Sequence, residues 1–175
     1  SGLVGTRLAE LLRQRGHQIS FLGRSKKEGD TKSFVWKVDQ NYIEPETFQG
    51  IDAIVHLAGA GIADKPWTIE RKREILESRT KSTGLLANVL KNTTHKVKAV
   101  ISASAIGYYG FENQHEVFTE NSEPGKDFLA DVTRRWEKET EPIVELGVRV
   151  VKIRIGIVLS KRGGALEEIA RPIKY

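Results

Sequence analysis

The sequence predicts an α/β fold built on a doubly wound parallel sheet. Three observations carry this expectation. Strand-like and helix-like stretches alternate along the whole 175 residues. Several strand-like stretches are near-continuous apolar runs, the mark of strands covered by helices on both faces. The chain also opens "SGLVGTRLAELL", a pair of glycines running straight into a helical pattern.

Val4, Leu8, Leu11, Leu12 and Arg15 follow helical spacing, and Gly16 is placed to end that helix. "HQISFLG" (17–23) reads as a short strand, "SKKEGDTKS" as a polar loop and "FVWKV" (34–38) as a second strand. "EPETFQG" leads into "IDAIVHLAG" (51–59), which reads as a buried strand ending in small residues. A long helix is expected from Thr68 to Lys91, with Leu76, Thr80, Thr83, Leu86 and Leu90 on one face. "KAVISASAIGYYG" (98–110) reads as a strand entering a Gly/Tyr turn. "DFLADVTRRWEKETEPIVELG" reads as one helix, and "VRVVKIRIGIVLS" (148–160) as another buried strand. The expected unit is one domain over 1–175.

Composition narrows the function classes. The chain has no cysteine, which removes disulfides, thiolate catalysis and Cys-zinc sites and fits a cytoplasmic location. No apolar run approaches the roughly 18 residues of a membrane span. The net charge is +5, but the basic residues are interleaved with acids, as in "ERKREILESRTK". That is a solvated helix face, without the basic stripe of a nucleic-acid binder. The four histidines, His17, His56, His95 and His115, show no metal spacing. His56 reads as a satisfied core histidine, and Trp67 and Trp136 as packing residues. Arg154 fits a strand-end contact or a catalytic role equally.

Gly2 and Gly5 have the spacing Gly-x-x-Gly ahead of a helix. Such glycines allow close helix packing. They also let backbone approach a pyrophosphate that sits on the helix N-terminus. In a dinucleotide fold the loop follows a central strand, so the chain is expected to be a fragment whose first strand lies outside it. At the end of the 17–23 strand, an acid would normally bind the ribose hydroxyls. The residues there are Gly23, Arg24, Ser25, Lys26 and Lys27. A basic surface turn has this composition. So does a site for a 2′-phosphate, which gives NADP as the expected cofactor ahead of NAD.

"SGLVG", "IDAIVHLAG", "STGLLANVL", "ISASAIGYYG" and "VKIRIGIVL" occur in an order that resembles the extended short-chain dehydrogenase/reductases. "SASAIGYYG", "FLADVTRRWE" and "RIGIVL" resemble its atypical, epimerase-like branch. The resemblance implies a Rossmann-type domain and NAD(P) binding. It implies that Gly2, Leu3, Val4 and Gly5 hold the pyrophosphate, and that Gly23 and Arg24 face the adenosine ribose and its phosphate. It places Leu57, Ala58 and Gly59 along the cofactor, Glu74 and Arg79 of the long helix at the same crevice, and Val158 near the nicotinamide. Typical members carry Asn at the position of Arg79. Substrate specificity in that branch comes from a C-terminal region expected to lie beyond "ARPIKY".

The superfamily's chemistry uses a Tyr-x-x-x-Lys pair and a Ser or Thr hydroxyl. Ser104 matches the hydroxyl. At the expected place of the pair stand Phe128 and Val132, and no Tyr-x-x-x-Lys occurs in the chain. Tyr108 is then a candidate acid/base group, as are Asp127 and Asp131 if burial raises a carboxyl pKa. Two functions follow. One is an NADP-dependent, epimerase/dehydratase-like oxidoreductase with a nucleotide-sugar substrate. The other is a non-catalytic NADP(H)-binding protein that senses redox state or regulates a partner.

Overall fold

The structure is a computed structural model that describes residues 2–26, 29, 31–111 and 117–170, without the side chains of 167 and 168. Lys27 of the expected basic turn, His115 and Tyr175 lie outside the described residues. The chain forms two compact units, Ser1–Lys37 with Ile43–Thr47 and Gly156–Tyr175, and Val38–Tyr42 with Phe48–Ile155.

In the first unit, helix α1 spans Leu3–Gln14 with Gly2 as its N-cap. Gly16, at φ +82°, turns the chain out of the helix. Its N–H and that of His17 bond back to Arg13 and Leu12 carbonyls at 2.9 and 3.0 Å. That closure explains why strand β1 is only Phe21–Gly23 rather than the whole of 17–23. His17 is still spent on finishing the helix. Strand β2 (Ser33–Lys37) pairs with β1 in parallel, Phe21 opposite Ser33 and Gly23 opposite Val35. The short β3 (Tyr42–Ile43) completes a sheet ordered β1-β2-β3. Glu44 holds its end in place. Its N–H donates to the Val35 carbonyl, its carboxylate accepts from the Val35 N–H at 2.6 Å, and Lys26 pairs with it at 2.9 Å.

The second unit holds strands β4 (Ala53–His56), β5 (Ala99–Ala105) and β6 (Arg149–Ile155), all parallel, in the order β4-β5-β6. The middle strand has the predicted covered character, with Val100, Ser102 and Ser104 at 1–3% exposure. The flanking strands do not. Val55 and Ile153 are 38% and 46% exposed, and both strands are shorter than the apolar runs that announced them. The face of β4 that carries Ala53 and Val55 is exposed while His56 on the other is buried, so β4 lacks the cover on both faces that a continuous apolar run predicts.

Helix α2 spans Ile69–Asn92, with the Thr68 side chain accepting from the Arg71 N–H as N-cap. Its buried face centres on Ile75, Ser82, Thr83, Leu86 and Leu90, so Ile75 takes the place expected of Leu76. The stretch expected to be one helix is two, α3 (Phe128–Lys138) and α4 (Glu141–Glu145). Pro142 stands in the first turn of α4, where its missing N–H costs nothing, and inside a continuous helix it would break the ladder. Helices α2 and α3 pack together, and α3 lies on β5.

Leu86 is 1% exposed and Ile69 83%. Leu86→Ala is therefore expected to cost about 2–5 kcal/mol through lost burial and a residual cavity. Ile69→Ala should change stability by no more than about 0.5 kcal/mol. Urea unfolding of the two variants measures the difference.

Candidate active site

Ser104 and Arg154 are register partners on β5 and β6, so their side chains leave the sheet on one face. α3 covers that face and brings Glu137 to both of them. Ser104 donates its hydroxyl proton to Glu137 Oε1. Arg154 donates Nε–H to Oε1 at 2.9 Å and Nη2–H to Oε2 at 3.0 Å, a two-pronged ion pair. Glu137 is 8% exposed and Ser104 3%. Burial opposes the Glu137 charge, but the bonds from Arg154 and Ser104 and the charges of Arg154 and Lys152 outweigh it, so its pKa is lowered. The Glu137 bond, working against partial burial, raises that of Arg154.

The remaining Arg154 nitrogen donates to the Tyr109 hydroxyl oxygen at 3.0 Å and to the Glu120 carbonyl at 3.2 Å. The guanidinium itself lies 3.4 Å from the centre of the Tyr108 ring. Tyr108, expected as a candidate acid/base, is thus the platform beneath Arg154, and its neighbour Tyr109 carries the polar contact. The turn that positions both tyrosines is fixed by Asp127. One of its oxygens caps α3 through the Ala130 N–H at 2.9 Å, and the other accepts from the Phe111 N–H at 3.0 Å. Asp127 is therefore committed to backbone. Asp131 does not have the raised pKa that a base would need. Burial pushes it up, but ion pairs with Arg134 and Arg135 at 2.6 and 2.9 Å bring the net shift down. Phe128, at the place expected of the tyrosine, packs edge-on against Trp67 with ring centres 5.4 Å apart, and Val132 is 2% exposed.

At the end of β4, the structure brings together two of the residues expected at a cofactor. The Arg79 side chain lies across Gly59, and a Cβ on Gly59 would fall 3.1 Å from its guanidinium carbon. Burial first, then the charge of Arg71, lowers the Arg79 pKa. The guanidinium sits over the Trp136 ring and donates to the Ile75 carbonyl at 2.9 Å. It has no carboxylate partner among the described residues. Glu74 instead pairs with Arg71, which also holds the Gly61 carbonyl and Asp64. Leu57 and Ala58 continue the chain from β4, Leu57 at 36% exposure.

In the first unit, the N-terminus of α1 has no side-chain cap and no acid in its first turn. Among the described residues the N–H groups of Leu3, Val4 and Gly5 have no backbone partner, and the Thr6 N–H is the first to bond within the helix, to the Gly2 carbonyl at 3.0 Å. Arg24, just past Gly23 at the end of β1, is exposed and forms no ion pair among the described residues. Val158 is 37% exposed in the segment after β6.

Residues 1–129 match the NAD dependent epimerase/dehydratase family. The chain belongs to that family. It is 40% identical over 173 residues to the chloroplastic SDR39U1 homolog of Arabidopsis thaliana, a match covering 95% of this chain and 49% of that protein. It is 34% identical to an epimerase family protein of Mycobacterium tuberculosis, covering 99% of this chain and 56% of the other. The chain thus spans about half the length of these curated relatives. Among solved structures it resembles the nucleoside-diphosphate sugar epimerase of Corynebacterium glutamicum, at TM-score 0.82 and 36% identity over 99% of this chain and 36% of that one. It also resembles human SDR39U1, solved with NADPH, at TM-score 0.80 and 27% identity over 99% and 57% of the two chains. The parallel α/β architecture of this family member is the Rossmann-like fold that its sequence motifs imply. No helix among the described residues is long and apolar enough to cross a membrane.

Sequence reasoning missed Glu137 and Tyr109. The signal for Glu137 was its spacing. It shares a face of α3 with Thr133 and Ala130, four and seven positions earlier, both buried.

Behind the site, His56 Nε2 lies 3.1 Å from Thr83 Oγ1 and 3.2 Å from Ser82 Oγ, and burial pushes its pKa down to about 4. The unfolded chain takes up this proton near pH 6.5 and the folded chain only near 4. Its contribution to stability is therefore complete above pH 6.5 and is lost as the pH falls toward 4, by about 3 kcal/mol at most. His56→Gln should flatten that slope. The comparison is urea unfolding free energy at neutral and acid pH for the two proteins.

Proposed function

We propose that this chain is the cofactor-binding part of an NADPH-dependent, epimerase/dehydratase-like oxidoreductase acting on a nucleotide sugar. In this reading, residues 1–175 serve one NAD(P)-binding domain. The carrying observation is the charge pattern of the expected cofactor contacts. Where the ribose acid of an NAD site is expected, this chain has Arg24, exposed and without an ion pair among the described residues. A guanidinium there offers a fixed fork of N–H donors to a 2′-phosphate. The uncapped, acid-free start of α1 supplies donors and a positive dipole end for a pyrophosphate, through Gly2, Leu3, Val4 and Gly5.

In the second unit, Leu57, Ala58 and Gly59 keep the chain after β4 narrow, and Gly59 leaves room for the Arg79 cation. These residues, with Glu74, are the proposed contacts along the cofactor, and Val158 is the proposed contact at its nicotinamide end. Ser104 and Tyr108 are the residues proposed for the reacting end, with Ser104 bonded to Glu137 and Tyr108 under Arg154. The bound cofactor would supply hydride transfer. The relatives support the cofactor and substrate class, since one structural neighbour holds NADPH and another is a nucleoside-diphosphate sugar epimerase. NAD is the less favoured cofactor.

A second reading has one observation in its favour. The Phe128 ring fills its place by packing on Trp67 and lying 5.3 Å from the Lys72 ammonium, and a phenyl ring exchanges no proton. Under that reading the protein binds NADP(H) and reports redox state without turnover.

Fluorescence titration of the full-length protein with NADPH and NADH tests the first step. Arg24→Ala should weaken NADPH about 10- to 100-fold, the cost of a lost charge-assisted bond, and leave NADH within about twofold. Equal losses for both cofactors contradict the phosphate role. Product formation with a panel of nucleotide sugars separates the enzyme from the sensor.

A further inference from the structure

The hydrogen atoms of the Ser104 cluster can be accounted for one by one. Ser104 has one hydroxyl hydrogen, and it is donated in a hydrogen bond to Glu137 Oε1. An ionised carboxylate only accepts, so this assignment leaves no freedom. Arg154 gives two N–H groups to Glu137, one to the Tyr109 oxygen and one to the Glu120 carbonyl. Tyr109 Oη is therefore an acceptor toward Arg154. Its own proton has no acceptor among the described residues. The Tyr109 ring is half-buried, stacked on Phe118 at 4.8 Å, and lines a hollow of about 330 Å³ together with Phe118, Ser122 and Pro124.

We propose that Tyr109 is the catalytic residue that donates to, and protonates, a carbonyl oxygen of the substrate, with Arg154 and Glu137 as the positioning residues that hold its phenol. The inference rests on the nicotinamide-dependent reading above. The substrate class is a compound carrying a ketone or aldehyde. In the step, a hydride from a reduced nicotinamide forms the new C–H bond at the carbonyl carbon. The carbonyl π electrons move to oxygen. The Tyr109 O–H bond breaks, its proton forms the new O–H bond, and its electron pair stays on the phenol oxygen. That oxygen then carries the negative charge next to an Arg154 N–H already aimed at it, so the charge develops against a donor that need not reorganise.

The neighbours fit this role less well. Tyr108 presents its ring to the guanidinium, and its hydroxyl makes no hydrogen bond among the described residues. Ser104 already spends its hydroxyl hydrogen bond on Glu137. Arg154 is fixed by its two-pronged pair with Glu137, so the direction of the N–H toward Tyr109 is set by α3. A lysine at 154 would keep the charge but lose the fork that reaches both partners.

The test uses the full-length protein. NADPH binding is followed by fluorescence, and NADPH oxidation with phenanthrenequinone as the carbonyl probe is followed by absorbance. Tyr109→Phe keeps the ring and its stacking. It should leave the urea midpoint unchanged and NADPH affinity within about twofold, and lower kcat about 100-fold or more. Tyr108→Phe, which keeps the ring under Arg154, should lower kcat less than Tyr109→Phe does. Arg154→Lys should lower kcat, and the Arg154→Lys/Tyr109→Phe double variant should be no slower than Tyr109→Phe alone. In the protein without cofactor, NMR with label at the tyrosine ζ carbon should show the Tyr109 resonance moving on Arg154→Lys, which reports the lost hydrogen bond. A Tyr109→Phe variant with kcat within about threefold of the parent overturns the proposal, as do additive losses in the double variant. A parent protein that binds NADPH but reduces no dicarbonyl also overturns it and leaves the cofactor reading standing. A parent that binds no NADPH overturns the reading beneath it.

Discussion

The ion pair between Glu137 and Arg154 joins the three elements that meet at the carboxyl end of the β4-β5-β6 sheet. It fastens α3 to β6 directly, and β5 through the Ser104 hydroxyl. The turn after β5 depends on it too, because the remaining Arg154 nitrogen holds Tyr109 and the Glu120 carbonyl. A buried pair of this kind is weak as a source of net stability, since desolvation offsets most of its attraction. Its value is positional. Removing either partner leaves the other as a buried unpaired charge, so the geometry tolerates little drift.

This arrangement changes what the neighbouring polar groups can do. A serine at the end of a central strand is ordinarily free to donate to a substrate. Here its hydroxyl hydrogen bond is spent on Glu137, and donor capacity is displaced outward to the phenol that Arg154 touches. The second cation of the region, Arg79, is held differently. It is largely buried, lies over Trp136 and Gly59, and has no carboxylate partner among the described residues. One arginine is thus neutralised by a carboxylate, while the other is held by a ring and a backbone carbonyl.

Most of the fold was legible because hydrophobic periodicity reports burial directly. The helices at 3–14 and 69–92, the stop at Gly16 and the strand at 99–105 follow from spacing and glycine alone. The runs at 51–59 and 148–160 read as longer and more buried than β4 and β6 are. Apolar content shows what a strand could bury, and what packs on each of its faces decides what it does bury. The helix expected over 127–147 ignored Pro142, whose backbone constraint divides it.

The site was legible in part for a related reason. Gly59 and Arg79 were named from motif order, and the structure puts them in contact. Ser104 was named as a hydroxyl, but its partner sits 33 positions away on α3. In "TRRWEKET" Glu137 looks like one more charge on a solvated face, since Arg134 and Arg135 do pair with an acid there, Asp131. The spacing of Glu137 from Ala130 and Thr133 is the sole hint, and the packing of α3 on β5 separates the buried glutamate from its exposed neighbours. The most direct measurement is a double-mutant cycle by urea unfolding on Glu137→Gln, Arg154→Met and the pair together. A coupling energy of about 2–3 kcal/mol is expected if this ion pair organises the site. Additivity within about 0.5 kcal/mol would contradict it.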